Sequence, residues 1–261
     1  MFLAEMFEAT STIKKLVVII PGGYHPFHTG HLSLYKAAQK DFPNADIYYA
    51  ATDDRKERPF PFEIKKKLAQ VAGVDPAHFI QVKSPFQAKE ILQNYDPNTT
   101  AAIWVRSVKD QTEQPIPGGT KKDGSPAYFQ PLTKNLAPLI TTGYMAYLPT
   151  IEFKAGSTGI TSATQIRNQW PRANNASKVQ IVQDLYPRAT NNKKLIAQII
   201  GWLNSALTEG IVAETLKQVN GKWALVSKST GKPLQYYKGS GRPSKEWVSK
   251  VERRVHAFKG S

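Results

Sequence analysis

Apolar runs and polar intervals alternate along the first 150 residues at two different periods. "KLVVII" (Lys15 to Ile20) is a β-branched run closed by Pro21-Gly22-Gly23, and it predicts a buried strand. "HLSLYKAAQKDF" then sets Leu32, Leu34, Tyr35 and Ala38 at helical spacing, and Pro43-Asn44 ends the helix. The same alternation continues. "DIYYAAT" (Asp46 to Thr52) predicts a second strand, and "PFEIKKKLAQVAG" a helix that ends at Gly73. "HFIQV" (His78 to Val82) predicts a third strand, "QAKEILQNY" a helix, "AAIWV" (Ala101 to Val105) a fourth strand and "GYMAYLP" (Gly143 to Pro149) a fifth. Strands alternating with helices imply βαβ units. The expected fold is therefore α/β, a Rossmann-like five-stranded parallel sheet with helices on both faces.

Two stretches break the pattern. From about Lys109 to Pro138 the chain is rich in Pro, Gly and Lys and reads as a long loop or insertion, a kind of segment that is commonly functional. After Ser177 come two helical stretches, "VQIVQDLY" and "KKLIAQIIGWLNSAL", and then a different grammar. "KWALVSKSTGKPLQYY" predicts a hairpin turning at Ser229-Thr230-Gly231, and "PSKEWVSKVERRVHAFK" a basic helix capped by Ser244. The expected division is a main domain over residues 1–208 and a small basic hairpin–helix module over 209–261. No internal repeat is present.

Composition changes this picture in three ways. The 261 residues suffice for one α/β domain with an appendage, and contain no cysteine. Disulfides, thiolate metal sites and cysteine nucleophiles are excluded. The formal charge of +15 exceeds what solubility needs and points to polyanionic partners, although much of it lies in the last third of the chain. The start, "MFLAEMFEATSTIKK", has no long apolar run, and no stretch approaches a membrane span, so the expectation is a soluble, cytoplasmic protein.

Candidate chemistry concentrates in "PGGYHPFHTGH" (Pro21 to His31), where the first strand gives way to its helix. Ligands of open parallel sheets bind beyond the carboxyl ends of the strands. Gly22 and Gly23 let backbone approach a ligand, and a helix N-terminus offers free N–H groups and a positive dipole end. His28 and His31, three residues apart, can converge on one phosphate. The physics points to phosphate binding. The segment resembles the signature of the nucleotidyltransferase superfamily named for its His-x-Gly-His motif, with Gly22, Tyr24, Pro26, His28, Gly30 and His31 in register. Tyr24 stands where Phe is usual, and His25 where Asp is frequent. The superfamily's later signature, Ile-Ser-Ser-Thr-x-Ile-Arg, is matched by "TSATQIR" through Ser162, Ala163, Thr164, Ile166 and Arg167, following the fifth strand as it should. The resemblance spans about Leu16 to Trp170.

The resemblance implies transfer of a nucleotide from a nucleoside triphosphate to a phosphorylated or alcohol acceptor, with pyrophosphate released and no covalent enzyme intermediate. His28 and His31 would hold the triphosphate and stabilise the transition state. Arg167 would hold the departing β/γ end with Ser162 and Thr164. Gly22, Gly23 and Tyr24 would line the nucleotide, and Gly30 would permit close helix approach. Mg²⁺ would bridge phosphates largely through water, with no dedicated protein ligands. Arg106, in "VRSVKD", is a candidate nucleotide or acceptor contact, and its alternative is a solvated strand-end charge. ATP is the default donor and CTP the alternative. The tight "GYHPFHTGH" looks most like the nicotinamide mononucleotide adenylyltransferase versions, while the end of the fourth strand lacks their acceptor signature.

Other candidates are weighed against plainer readings. Lys65 to Lys67 read as a solvated helix face sooner than an acceptor contact. Arg55, Lys56 and Arg58 read as a charged loop or an anion clamp. His25 lines an acceptor pocket or caps the turn, Trp104 is core, and His78 and His256 are incidental. In the tail, Trp223, Tyr236, Tyr237, Lys238, Arg242, Trp247, Arg253 and Arg254 pair aromatics with bases, which suits nucleic acid, although the aromatics read first as the module's own core. The tail and "KKDGSPAYFQPL" also look like modules of phage-encoded proteins. The rival function is a catalytically silent scaffold, a phage structural component, or a nucleic-acid-binding protein. Retention of His28, His31, Thr164 and Arg167 together argues for the enzyme.

Overall fold

The structure, a computed structural model, describes residues 12–53, 59–226, 233–248 and 250–251, with backbone alone over 208–215. Contacts divide the chain into two units, Met1–Trp202 and Leu203–Ser261.

The first unit is built on a parallel sheet. Its strands are β1 (Lys15–Gly22), β2 (Asp46–Ala51), β3 (Phe79–Gln81), β4 (Thr100–Ser107), β5 (Phe129–Pro131) and β6 (Gly143–Leu148), in the spatial order β3-β2-β1-β4-β6-β5. Every pairing in it is parallel. Val17, Val18, Ile19 and Ile20 are all buried, so both faces of β1 are covered, which is why that stretch reads as an unbroken apolar run. One face packs Val17, Ile19, Ala102 and Trp104 with Ile91 of α3 (Lys89–Leu92). On the other face lie α1 (Thr29–Asp41), which buries Leu34 and Ala38, and α2 (Phe62–Ala72), which ends at Gly73 in the left-handed region. The Tyr49 hydroxyl donates to the His31 carbonyl at 3.0 Å and fastens α1 to β2.

The sheet has six strands, not five. The sixth, β5, lies inside the stretch expected to be loop. Three residues ending in proline carry no strand signal of their own, and the pairing comes from Gly143 opposite Phe129. A Cβ at Gly143 would stand 2.7 Å from the Trp104 ring and 2.8 Å from the Tyr128 ring, so β5 and β6 can approach only across a glycine. At the outer edge of β5 the Phe129 carbonyl accepts from Gly118 N–H at 2.8 Å, and Pro131 has no N–H to offer. The helix expected over "QAKEILQNY" is shorter too. The Asn94 side chain donates to the Ile91 carbonyl at 3.1 Å, and α3 closes after one turn.

On β6, beside Arg106 in register, the Tyr147 hydroxyl is buried and has no hydrogen-bond partner among the described residues. A buried unmet hydroxyl costs free energy, so Tyr147→Phe is expected to leave stability unchanged or raise it by about 1 kcal/mol, read as an unaltered or higher Tm.

After β6 the chain forms α4 (Ala163–Gln169), α5 (Asn175–Leu185) and α6 (Lys193–Thr215). The Tyr186 hydroxyl, just past α5, donates to the Phe27 carbonyl and holds the turn before α1 in place. No helix among the described residues is long and apolar enough to cross a membrane.

The second unit contains a three-stranded antiparallel sheet, β7 (Leu216–Val219), β8 (Lys222–Val226) and β9 (Pro233–Tyr236), in sequence order. Leu216, Leu225, Val248 and Val251 form its core, with Trp223 and Trp247 packed against them. Of the tail's aromatics these two pack on the core, while Tyr236 is exposed. Ser244 caps the following helix, its Oγ accepting from Trp247 N–H at 3.2 Å. The expected turn at Ser229-Thr230-Gly231 lies outside the described residues, as do Arg253, Arg254 and His256.

Candidate functional site

Strands β1, β2 and β3 extend to one side of the sheet, and β4, β6 and β5 to the other. The order therefore reverses between β1 and β4, where a cleft opens beyond the strand ends. A cavity of about 840 Å³ occupies this position. It is lined from β1 by Gly22, Gly23 and Tyr24, from the start of α1 by His28, Gly30 and His31, from β4 by Arg106, and from the start of α4 by Ser162.

The Pro21–His31 segment is folded by its own aromatics. Tyr24 has φ 54°, a left-handed conformation unusual for a non-glycine residue. Its hydroxyl donates to the Ile20 carbonyl at 2.6 Å, which lays the ring over Gly22 and against the edge of His31, 5.0 Å between centroids. A Cβ at Gly22 would stand 2.6–2.9 Å from the Tyr24 ring. Gly22→Ala is thus expected to cost about 2–3 kcal/mol, measured by denaturant unfolding, because the ring has no free direction to yield.

The two histidines form a reciprocal cap at the start of α1. The Gly30 N–H donates to His28 Nδ1 at 3.1 Å, and the His28 N–H donates to His31 Nδ1 at 3.1 Å. This is the capping-box arrangement with imidazoles in place of hydroxyl and carboxylate. The consequence is chemical. Each Nδ1 is an acceptor, so each neutral ring carries its proton on Nε2 and has that N–H to offer. The rings stack at 3.8 Å between centroids. Burial pulls His28 down to about 3, and burial, then repulsion by His28 and His25, holds His31 well below the usual histidine range. Both are neutral donors at pH 7.

This corrects one expectation. The sequence predicts free N–H groups at the start of α1. Instead the N–H groups of His28 and Gly30 are taken by the imidazoles, and that of His31 by the His28 carbonyl at 2.9 Å. Of the helix's first three residues, Gly30 and His31 thus have their N–H groups engaged, and both imidazoles line the cavity.

At α4, Ser162 Oγ accepts from Gln165 N–H at 3.2 Å and the Gln165 side chain accepts from Thr161 N–H at 2.7 Å, so Ser162 is the cap. Thr164 and Arg167 are not among the cavity-lining residues. The Arg167 guanidinium donates to the His25 carbonyl at 2.6 Å and to Thr164 Oγ1 at 3.0 Å, tying α4 to the turn after β1. His25 does not line the cavity either. It is buried, its Nδ1 accepting from Phe60 N–H at 3.3 Å.

Arg106 is not a solvated charge. Its side chain is 7% exposed, pairs with Glu113 at 3.1 Å, and lies 5.5 Å over the Phe86 ring. Nearby, Lys109 pairs with Glu152 at 3.1 Å. Burial first, then Glu113, pushes the Asp110 carboxyl up. Glu113, Glu152, Phe86 and Phe153 (the last 4.5 Å from the His28 ring) were not anticipated. They belong to loops with no periodicity to mark them.

The solvated-face reading of Lys65 is overturned. Lys65 is fully buried, with Nζ donating to the Thr52 carbonyl, while Lys67 lies 5.7 Å over the Trp202 ring. Arg55, Lys56 and Arg58 lie outside the described residues. Among the described residues no three His, Asp or Glu side chains converge as a metal cage.

No family model matches the sequence, and neither does any curated protein. Among solved structures, the chain is similar to a bifunctional NMN adenylyltransferase/ADP ribose pyrophosphatase from Francisella tularensis. Identity is 14%, the TM-score 0.46, and the alignment covers 91% of this chain and 73% of that one. A second structure of a protein so described from that organism, complexed with AMP and a manganese ion, aligns at 13% identity and TM-score 0.45, over 92% and 72% of the two chains. These are loose backbone likenesses at low identity.

Proposed function

We propose that this chain is a nucleotidyltransferase of the His-x-Gly-His type. It transfers a nucleoside monophosphate, AMP from ATP in the first instance, to a phosphorylated acceptor such as nicotinamide mononucleotide, and releases pyrophosphate. The observation that carries this reading is the pair of stacked imidazoles, each held by its Nδ1 bond as an Nε2–H donor, at the cleft between β1 and β4. Two neutral, immobile donors suit an anion whose charge shifts during reaction, because they need no reorganisation as it does so.

In this mechanism an acceptor phosphate oxygen attacks the α-phosphorus in line. The new O–P bond forms as the bond to the β-phosphate bridge breaks, and pyrophosphate departs. His28 and His31 donate to non-bridging oxygens and hold the triphosphate for attack. For Arg167 to take the departing pyrophosphate, it exchanges the His25 carbonyl for phosphate oxygens. Magnesium enters with the triphosphate as part of the substrate. The test is pyrophosphate release with Mg²⁺, each nucleoside triphosphate and each phosphorylated acceptor in turn. Release that depends on both substrates supports the reading. Triphosphate binding with no release from any pair moves it to the scaffold alternative.

A second reading concerns the basic unit. Residues 203–261 carry eleven Lys and Arg against four Asp and Glu, and Lys217, Lys222 and the exposed Tyr236 fall on one face of its sheet by register. Strongly salt-dependent binding of single-stranded nucleic acid by the full chain is the result that would support it.

A further inference from the structure

The described residues that line the cavity present a puzzle for any polyanion. They include two cations, Arg106 and Lys109, against three carboxylates, Asp110, Glu113 and Glu152, while both histidines are neutral. Carboxylates repel bare phosphate, and here they outnumber the cations. The ion pairs resolve it: Glu113 is bonded to Arg106 and Glu152 to Lys109. The cations of the cavity are already occupied by the protein's own anions.

The Arg106–Glu113 pair is unequal. The guanidinium is fixed on three sides. Nη1 donates to the Glu113 carbonyl at 2.8 Å and to the Pro115 carbonyl at 3.5 Å, and Cζ lies 5.5 Å from the centre of the Phe86 ring. Its carboxylate partner is free to move, because the Glu113 side chain is 68% exposed and makes one contact to it, Nη2 to Oε2 at 3.1 Å. A buried guanidinium left unpaired is strongly unfavourable, so some anion must stay on Arg106. A phosphate dianion carries twice the charge of a carboxylate and fits the guanidinium fork as well or better. The Glu113 carboxylate can swing into water at little cost.

We propose that the Glu113 carboxylate is a resident stand-in for a substrate phosphate. A phosphomonoester dianion displaces it from Arg106, making Arg106 the acceptor's phosphate subsite and Glu113 the residue that sets its selectivity for dianions. The name "acceptor" rests on the function proposed above, whereas the exchange itself does not require catalysis. Monoanions such as carboxylates or phosphodiesters gain too little on Arg106 to expel an anion of equal charge.

The test uses the full chain and inorganic phosphate as the probe, with affinity measured by calorimetry at pH 7.5, where phosphate is largely dianionic. Glu113→Gln removes the competing charge at an exposed position and is expected to tighten phosphate binding about five- to tenfold. Arg106→Gln should weaken phosphate binding, and the double variant should show none of the gain, since the gain exists only while Arg106 is present. Thermal melts verify that each variant is folded. If Arg106→Gln does not fold, Arg106→Lys replaces it, with a gain from Glu113→Gln smaller than in the parent. Unchanged or weaker phosphate binding by Glu113→Gln, or a gain that persists without Arg106, overturns the proposal. The two readings fail separately. Tighter phosphate binding with no pyrophosphate release from any substrate pair leaves this exchange standing and removes the enzyme. Release by the parent chain, with Glu113→Gln unchanged in phosphate affinity and acceptor KM, does the reverse.

Discussion

His31→Ala is expected, under the function proposed above, to lower kcat for pyrophosphate release by about two to three orders of magnitude, the usual cost of deleting one preorganised donor to a developing phosphoryl charge. The ring is wedged between Tyr24, Phe27 and His28, at 5.0, 5.3 and 3.8 Å between centroids, so in the proposed reaction it would meet the phosphoryl group without ordering anything new. Its loss also strips the His28 N–H of its acceptor and leaves a void, which together should cost about 2–3 kcal/mol of stability. His31→Asn separates the two effects. It keeps an acceptor for the His28 N–H but is too short to place a donor where Nε2–H stands. Steady-state kinetics on the two variants should show the same rate loss, with the asparagine variant melting higher. An asparagine variant with parent-like kcat would show that His31 only caps the helix.

The second large effect is on stability against acid. In the unfolded chain His28 binds a proton near pH 6.5, and in the folded protein not until about 3. Between those values the unfolded state holds the extra proton, so stability is fully present above pH 6.5 and is lost as pH falls, by about 1.4 kcal/mol per pH unit for this one residue. His28 alone thus removes about 3 kcal/mol between pH 6.5 and 4, and His31 acts in the same direction. His28→Asn keeps a strong N-cap acceptor and deletes the titrating group. Urea unfolding at a series of pH values should give a shallower acid limb for the variant than for the parent. Parallel limbs would mean that His28 already titrates normally in the folded protein.

Most of the fold was legible in the order of the residues. The runs around Val17–Ile20, Ala101–Val105 and Gly143–Leu148 mark central strands because burial on both faces leaves no polar position to interrupt them. β5 was illegible because its three residues pair only by virtue of a glycine on the neighbouring strand. Lys65 was misread for a reason the helix geometry supplies. Three consecutive lysines turn through about 200°, so they cannot all face water, and Lys65 shares its face with Phe62, Leu68, Ala69 and Ala72. The spacing of His28 and His31 places both rings at one helix start beside the cleft but says nothing of their tautomers, which depend on which backbone N–H meets which ring nitrogen. Arg106 was visible as a charge at a strand end. Its partner was not, because Glu113 comes from an aperiodic loop.

The outer edge of β5 carries a further consequence. A sheet grows when a strand from another molecule finds a free row of donors and acceptors. Here that row is spoiled in two successive outward-facing residues: the Phe129 carbonyl is spent on Gly118, and Pro131 has no hydrogen to give. The stretch that looks like an insertion into the α/β fold therefore also terminates the sheet. A strand from another molecule finds little to pair with at that margin of the sheet.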